Sequence, residues 1–195
     1  MSAHIKAAIL AVFLLAFGAC EKSHMSAQIE EMSTPDGRLR RAERELAAAS
    51  PSDRRYRLGD AAKNAFDTGD FDKAERYIGE LERASALAPH DWDYGNTVQN
   101  VNIVRGRMAL RMGNKAEAKQ RLLAAGRSPG SPQMNSFGPN MSLANDLLQV
   151  GERDIVIEYL ALCRVFWVSG RPKLDQWTED IRAGRSPQFG PNLIY

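Results

Sequence analysis

The sequence predicts an all-α protein of about three helical hairpins, with a short helix before them and a capping helix after them. Residues 98–112 carry apolar side chains at the spacing of one helix face, and similar patterns recur on both sides. Three glycines, Gly69, Gly113 and Gly151, interrupt these patterns, as residues tolerant of left-handed backbone do at helix ends. Hydrophobic residues make up 44% of the chain, which suffices for one continuous core.

Residues 1–20 predict a targeting signal. A weakly positive start precedes the apolar run 7–17, which is shorter than the roughly 20 residues of a membrane-spanning helix and suits a secretory signal peptide. Cys20, preceded by Gly18 and Ala19, resembles the lipid-attachment box of bacterial lipoproteins, which implies lipidation of Cys20 and a membrane-anchored protein. The alternatives are an ordinary signal peptide cut after Gly18 or Ala19, giving a periplasmic or secreted protein, and a retained anchor or cytoplasmic chain.

Residues 21–33 are polar and patternless, and we interpret them as a tether. Residues 34–51 predict an N-terminal helix, because Thr34 can cap it and Pro35 suits its first position. Arginines crowd its start: Arg38, Arg40, Arg41 and Arg44. They could contact anionic lipid headgroups, or form a solvated helix face, which the glutamates among them favour.

Residues 52–183 predict the helical domain, and its first two hairpins share a spacing of small residues. In the first, Gly69-Asp70 marks the turn, and Ala74 follows five residues after the glycine. Gly113-Asn114 and Ala118 repeat that spacing in the second hairpin. Small residues at these positions let paired helices approach closely. The pattern resembles the tetratricopeptide repeat, a helix–turn–helix unit that binds other proteins.

This resemblance implies a short right-handed solenoid of degenerate repeats, whose concave groove binds a peptide or a partner protein. The turn glycines lie 44 and 38 residues apart, whereas standard repeats recur about every 34. We expect Ser142 to cap the third hairpin, which carries Val156 where the pattern has alanine. Residues 173–183 predict the capping helix that closes the stack.

Residues 126–141 are rich in proline and glycine, and we expect neither helix nor central strand there. The C-terminal tail, residues 184–195, repeats both ends of this loop. Gly-Arg-Ser-Pro occurs at 126–129 and 184–187, and Phe-Gly-Pro-Asn occurs at 137–140 and 189–192. One interpretation is a helix stop and chain reversal used twice. The other is a pair of aromatic-bearing loops on one face that contact a partner through Phe137, Asn140, Phe189 and Asn192.

The tail is also unusually apolar for a chain end, with Phe189, Leu193, Ile194 and Tyr195. Leaving such side chains in water forgoes about 1.5–3 kcal/mol for each one that could be buried. We therefore predict that the tail folds back onto the helices near the loop, with Phe137 and Phe189 in comparable pockets. The alternative is a free tail that docks onto a partner.

The segment His90-Asp91-Trp92-Asp93-Tyr94 is the most polar and aromatic in the chain. We interpret it as a connection between hairpins, with Trp92 and Tyr94 as candidate partner-binding residues at a groove edge. The alternative is an enzyme with a polar centre near His90–Asp93, because a histidine and a carboxylate can exchange protons or bind a metal. No second cluster of histidine and carboxylate completes such a site.

Other features of the sequence argue against a catalytic site and against a nucleic-acid-binding site. Cys163 lies in an apolar helical pattern, which indicates a small buried side chain. The chain has 26 Lys and Arg against 24 Asp and Glu, a net charge of +2 without a basic stripe for nucleic acid. It lacks a phosphate-binding glycine loop, a nucleophile elbow and a zinc motif. We therefore expect no enzyme, no cofactor and no metal.

These observations together predict a protein-binding scaffold or assembly factor of the bacterial cell envelope. Tetratricopeptide lipoproteins such as pilotins and outer-membrane assembly subunits similarly combine a lipid anchor with helical repeats. The expected partner is a protein or peptide of the envelope, and the sequence does not identify it.

Overall fold

The computed structural model describes Ser26, Ile29 and residues 31–193, and the prediction of an all-α fold is confirmed for this part of the chain. It contains α-helices and one 3-10 helix, with no β-strand among the described residues. The predicted signal peptide with Cys20, most of the predicted tether, and residues 194–195 lie outside it. The helices are α1 (Pro35–Ala47), α2 (Arg54–Thr68), α3 (Phe71–Ala86), α4 (Tyr94–Arg111), α5 (Lys115–Gly126), α6 (Pro132–Phe137), α7 (Ser142–Gln149), α8 (Arg153–Cys163) and α9 (Arg171–Arg182), and the 3-10 helix is Gly190–Leu193.

Helix α1 starts as the sequence predicts and ends earlier than Pro51. The Thr34 hydroxyl accepts a hydrogen bond from Gly37 N at 3.1 Å, and Pro35 is the first helical residue. The last helical residue is Ala47. Leu39 and Leu46 are buried and belong to the same hydrophobic cluster as residues of α2 and α3.

The first two hairpins have the turns that their sequences predict. Gly69 and Gly113 have φ angles of 83° and 81°, in the left-handed region that favours glycine. Behind each glycine, a side chain caps the next helix: Asp70 accepts from Lys73 N at 2.9 Å, and Asn114 accepts from Glu117 N at 3.1 Å. Ala74 and Ala118 are completely buried.

The segment 126–141 contains a helix, so the expectation that it would be non-helical is wrong for part of it. The Ser131 hydroxyl accepts a hydrogen bond from Met134 N at 3.0 Å and starts α6. Pro132 stands at the first position of α6, where the missing N–H costs nothing and the fixed φ favours a helix. The prolines therefore limit this helix to six residues without preventing it.

The third hairpin, α7 and α8, begins differently from its prediction. Ser142 is the first residue of α7, and its hydroxyl donates to Asn140 Oδ1 at 2.7 Å instead of capping the helix. Asn140 Oδ1 also accepts from Ser142 N at 2.9 Å. Gly151 makes the turn to α8 with a φ angle of 86°. Helix α9 corresponds to the predicted capping helix 173–183; it starts two residues earlier and ends one residue earlier.

Neighbouring hairpins pack against each other along the chain. Helix α4 contacts both α2 and α3, α7 contacts α4 and α5, and α8 contacts α5 and α9. Two clusters of buried apolar residues result, and α4 contributes to both: Val101 and Val104 to the N-terminal cluster, Ile103 and Ala109 to the C-terminal one. None of the helices in the described part of the chain combines the length and hydropathy needed to cross a bilayer.

Candidate partner-binding groove

A cavity of about 350 Å³ lies between α2 and α4, the first helices of two consecutive hairpins. Tyr56 and Asp60 of α2 face Asn96 and Asn100 of α4 across it. A third wall comes from Gln133 and Met134 of α6 and from Gly138, and Trp92 lies at the N-terminal side of α4. This volume is within the range of small-ligand pockets.

A second cavity, of about 510 Å³, continues along the same two helices. Asp60 and Lys63 line both cavities. Arg38 of α1 bounds the second cavity on one side, and Leu193 of the tail bounds it on the other. We call the two cavities together the α2–α4 groove.

The α6 wall of the groove is attached to the N-terminal turns of α4. The Asn96 side chain donates to Gln133 Oε1 at 2.8 Å and accepts from the Ser131 hydroxyl at 2.6 Å. The buried Ser128 hydroxyl donates to Gly95 O at 2.8 Å. A Cβ atom on Gly95 would stand 2.0 Å from Gly130 O, so only glycine allows this approach of loop and helix. These contacts give the groove a fixed wall.

The two Phe-Gly-Pro-Asn motifs bind each other. Met141 N, directly after the first motif, donates to Asn192 O at 2.7 Å. The Asn192 side chain donates to Phe137 O at 3.0 Å and to Pro139 O at 2.9 Å. The repeat therefore joins the loop and the tail inside the fold, as the predicted position of the tail near the loop requires.

The tail packs back on the helices through Phe189 and Asn192, as predicted, but Leu193 is 36% exposed; Ile194 and Tyr195 lie outside the described residues. Phe189 is buried with 1% exposure, and its ring meets that of Trp177 edge-on at a centroid distance of 5.0 Å. Trp177 Nε1 donates to Gln188 O at 3.3 Å. Burial of Phe189 provides the hydrophobic stabilisation on which the prediction of a folded-back tail is based.

Three of the six candidate partner-binding residues are buried and serve the fold. Asn140, Phe189 and Asn192 are each at most 3% exposed, and of the three only Asn140 lines a cavity of the groove. Asn140 N donates to Gln99 Oε1 at 3.0 Å, and Asn140 O accepts from the Tyr159 hydroxyl at 2.8 Å. Phe137 is exposed while Phe189 is buried, which corrects the expectation of comparable pockets.

The remaining candidates lie at or beside the groove. Trp92 is 67% exposed and lines the first cavity, and Tyr94 is half-buried at the start of α4. Phe137 is exposed and directly precedes Gly138, which lines the same cavity. Tyr56, which the sequence did not single out, adds a second exposed aromatic side chain to the cavity.

All the cations that line the first cavity are paired with carboxylates. These pairs neutralise the cations in place, whereas the Asp53 carboxylate, which also lines the cavity, accepts from the Ser50 hydroxyl at 2.6 Å. The other polar lining groups are mostly amides and hydroxyls. The pairs are Arg55 with Asp91 and with Asp93 (3.0 Å), Arg57 with Glu45 (2.5 Å), and Lys63 with Asp60 (3.3 Å).

The geometry near His90 does not assemble an acid–base site. Both carboxylates of the segment, Asp91 and Asp93, bond the guanidinium of Arg55, and His90 is exposed. Burial raises the pKa of the Cys163 thiol, although a hydrogen bond with Tyr159 opposes this, so Cys163 is a protonated core residue. In the part of the chain that is described, no three histidine, cysteine or carboxylate side chains cluster to hold a metal ion.

The polar residues that line the groove were not among the candidates predicted from the sequence. A helical spacing of four residues could have revealed them, because such residues share one helix face. On α2 this series is Tyr56, Asp60 and Asn64, and on α4 it is Asn96 and Asn100. Both series lie on faces that the apolar pattern leaves unused.

Comparison of the chain with protein-family models, with curated proteins and with solved structures found no significant match.

Proposed function

We propose that this protein is a non-enzymatic scaffold or assembly factor, anchored in the bacterial cell envelope through Cys20, that binds a peptide or partner protein in the α2–α4 groove. One observation carries the proposal: the groove is open between the first helices of consecutive hairpins, and exposed Trp92 and Tyr56 line it. Exposed aromatic side chains beside a cavity are a common feature of protein-binding sites.

The proposed architecture is a short right-handed solenoid of tetratricopeptide-like hairpins, closed by α9. In support of it, the first helices contact one another in order, α2 with α4 and α4 with α7, and the second helices α5 and α8 also pack together. Stacking of this kind places first helices side by side on one face, which is where an extended ligand can lie.

A pull-down from detergent-solubilised envelope tests the groove. The wild-type chain should retain a partner that the double variant Lys63→Ala/Asn100→Ala, altered inside the groove, retains at least fivefold less. Arg76→Ala is the control, because Arg76 is exposed on α3 and lines none of the cavities described above. Equal retention by all three proteins would place the binding surface elsewhere. If none retained a partner, the scaffold function would be wrong.

The anchor has its own test. Cys20→Ala removes the thiol that carries the lipid in the proposal, so the variant should move from the membrane fraction to the soluble fraction of the native host. Mass spectrometry of the mature wild-type protein should show an acylated N-terminal Cys20. A different N-terminal residue, or Cys20 without acyl mass, would contradict the lipoprotein proposal and leave binding in the groove unaffected.

A further inference from the structure

We propose that Trp92 is the anchor of a peptide site at the first cavity, and that its occupant is an extended polypeptide segment with an apolar side chain and without acidic side chains. This inference rests on the proposed scaffold function and specifies its ligand. Four observations support it. They are the contacts that hold the segment around Trp92, the charges that line the cavity, the side-chain amide of Asn100 and the packing of the cavity walls.

Trp92 is exposed, yet the residues on both sides of it are held in place. Arg55 of α2 bonds the carboxylates of Asp91 and Asp93, the latter at 3.0 Å. The Arg55 side chain is itself only 16% exposed. An aromatic side chain presented from a held segment loses little conformational entropy on binding, and buried tryptophans dominate many interfaces. The arrangement suits a ligand side chain packed on the indole.

The distribution of charge disfavours an anionic ligand. Arg55, Arg57 and Lys63 are the cations that line the cavity, and each already has a carboxylate partner. Asp53 also lines the cavity; its carboxylate accepts from the Ser50 hydroxyl at 2.6 Å, and no cation of the described residues pairs with it. An anionic ligand group would lose hydration on entering the cavity and find no unpaired cation there. An apolar or amide-bearing side chain avoids this desolvation cost.

The side-chain amide of Asn100, in the cavity, is available to hydrogen-bond a ligand. Asn100 lines the cavity, and its side-chain amide makes no hydrogen bond within residues 31–193. It is only half-buried, so water satisfies it in the free protein. A carboxamide offers both donors and an acceptor. It can therefore replace those waters with the C=O and N–H of a ligand peptide group, as extended peptides require.

The walls of the cavity are fixed before binding. Asn96 holds α6 through Ser131 and Gln133. A Cβ on Gly138 would stand 2.6 Å from the Trp167 ring, so this end of α6 is packed directly on the C-terminal core. A preformed site reduces the ordering cost of association.

Selection of peptides on the purified full-length chain in detergent tests the inference, with a phage-displayed library of random 12-residue peptides as the probe. We expect the selected sequences to lack acidic residues and to share an apolar residue. The best selected peptide, labelled for fluorescence anisotropy, should bind Trp92→Ala at least tenfold more weakly than wild type. Trp92→Phe should keep most of the affinity, because it preserves an aromatic surface.

Val165→Ala is the matched control, because Val165 is 76% exposed and lies outside the cavity; its affinity should equal that of wild type. Circular dichroism should show equal folding of all variants. Selected peptides that carry net negative charge, or that bind Trp92→Ala as tightly as wild type, would overturn this inference and leave the scaffold function standing. If wild type selects no peptide but retains a protein in the pull-down, the peptide occupant is wrong. If it retains neither, the scaffold function is wrong as well.

Discussion

At single positions, glycine and alanine determine how closely parts of the chain approach one another. Gly106 of α4 faces α7 so closely that a Cβ would lie 2.3 Å from Leu143 Cδ2. Gly95, near the start of α4, is in contact with the backbone of Gly130. At these sites the absence of a side chain brings the hairpins and the loop wall together.

Gly95→Ala and Gly79→Ala should change stability in opposite directions. Both glycines lie within α-helices, where alanine is intrinsically favoured by roughly 0.5–1 kcal/mol. A Cβ at Gly79 meets only the flexible end of Arg83 at 3.3 Å, whereas at Gly95 it would collide with Gly130 O. Urea unfolding should show a gain for Gly79→Ala and a loss for Gly95→Ala. A gain in both would contradict the packing of the loop on α4.

Ala118→Leu should destabilise the second hairpin by about 1–3 kcal/mol, because added methylenes overpack a filled helix crossing. Ala118 is completely buried, and Ala74 holds the same position in the first hairpin, so Ala74→Leu should behave alike. Ala116→Leu, at an exposed position of the same helix, is the control. Thermal melts measure the effect, and an unchanged melting temperature in both buried variants would refute this helix register.

At the scale of single elements, α1 depends on charged contacts as well as on its apolar face. Glu43 accepts hydrogen bonds from Lys73 Nζ at 3.0 Å and from the Tyr77 hydroxyl at 2.8 Å, both on α3. Glu45 bonds Arg57 of α2. Both glutamates of α1 therefore reach neighbouring helices, and Glu45 also accepts from the exposed Arg41 of α1 at 2.8 Å, as expected for glutamates placed among these arginines.

These contacts shift the pKa values of both Glu43 and Tyr77. Burial opposes ionisation of Glu43, but hydrogen bonds from Lys73 and Tyr77 outweigh it and hold the pKa of Glu43 below its ordinary value. Burial, together with the hydrogen bond to Glu43, raises the pKa of Tyr77 to about 12. Around neutral pH the pair is therefore a carboxylate that accepts and a phenol that donates.

Acid should weaken the attachment of α1. Because the folded pKa of Glu43 is lowered, its stabilisation is fully present above the unfolded value of about 4.3 and is lost as pH falls through the folded value. Glu43→Gln should therefore destabilise the protein at pH 6 and have a smaller effect at pH 3, measured by urea unfolding. Glu158→Gln, at an exposed position of α8, is the control and should change little at either pH. An equal loss for Glu43→Gln at both pH values would rule out this linkage.

At the scale of the whole molecule, α4 and the tail connect parts of the chain that are distant in sequence. Helix α4 contributes buried residues to both hydrophobic clusters. Phe189 belongs to the C-terminal cluster, and Asn192 joins the tail to the loop before α7. The tail thus supports the loop that forms one wall of the groove.

Phe189→Ala should cost about 3–5 kcal/mol of stability, as truncation of a buried aromatic side chain does. Phe137→Ala provides the matched control, because Phe137 holds the same place in the other Phe-Gly-Pro-Asn motif and is 62% exposed; it should stay within about 0.5 kcal/mol. Hydrogen exchange should show lost protection mainly in α7 to α9 for Phe189→Ala. Equal effects of the two substitutions would contradict the fold-back of the tail.

The sequence by itself determined the helices and their turns. Local chemistry explains this success: left-handed glycines at Gly69, Gly113 and Gly151, a hydroxyl cap at Thr34 and alanine at the helix crossings act within a few residues. The start of α7 was missed because Ser142 donates to Asn140 in place of capping the helix. The short helix α6 was missed because its proline stands at the first helical position, where proline is accepted.

Only the tertiary structure decided which residues of the repeated motif are buried and where a groove opens. Phe137 and Phe189 have the same local sequence, but one lies exposed at the end of α6 and the other packs on Trp177. The polar lining of the groove, with Arg55 holding Asp91 and Asp93 on either side of Trp92, joins residues from separate helices. Local sequence cannot specify such contacts, because burial depends on what the rest of the chain brings to the same place.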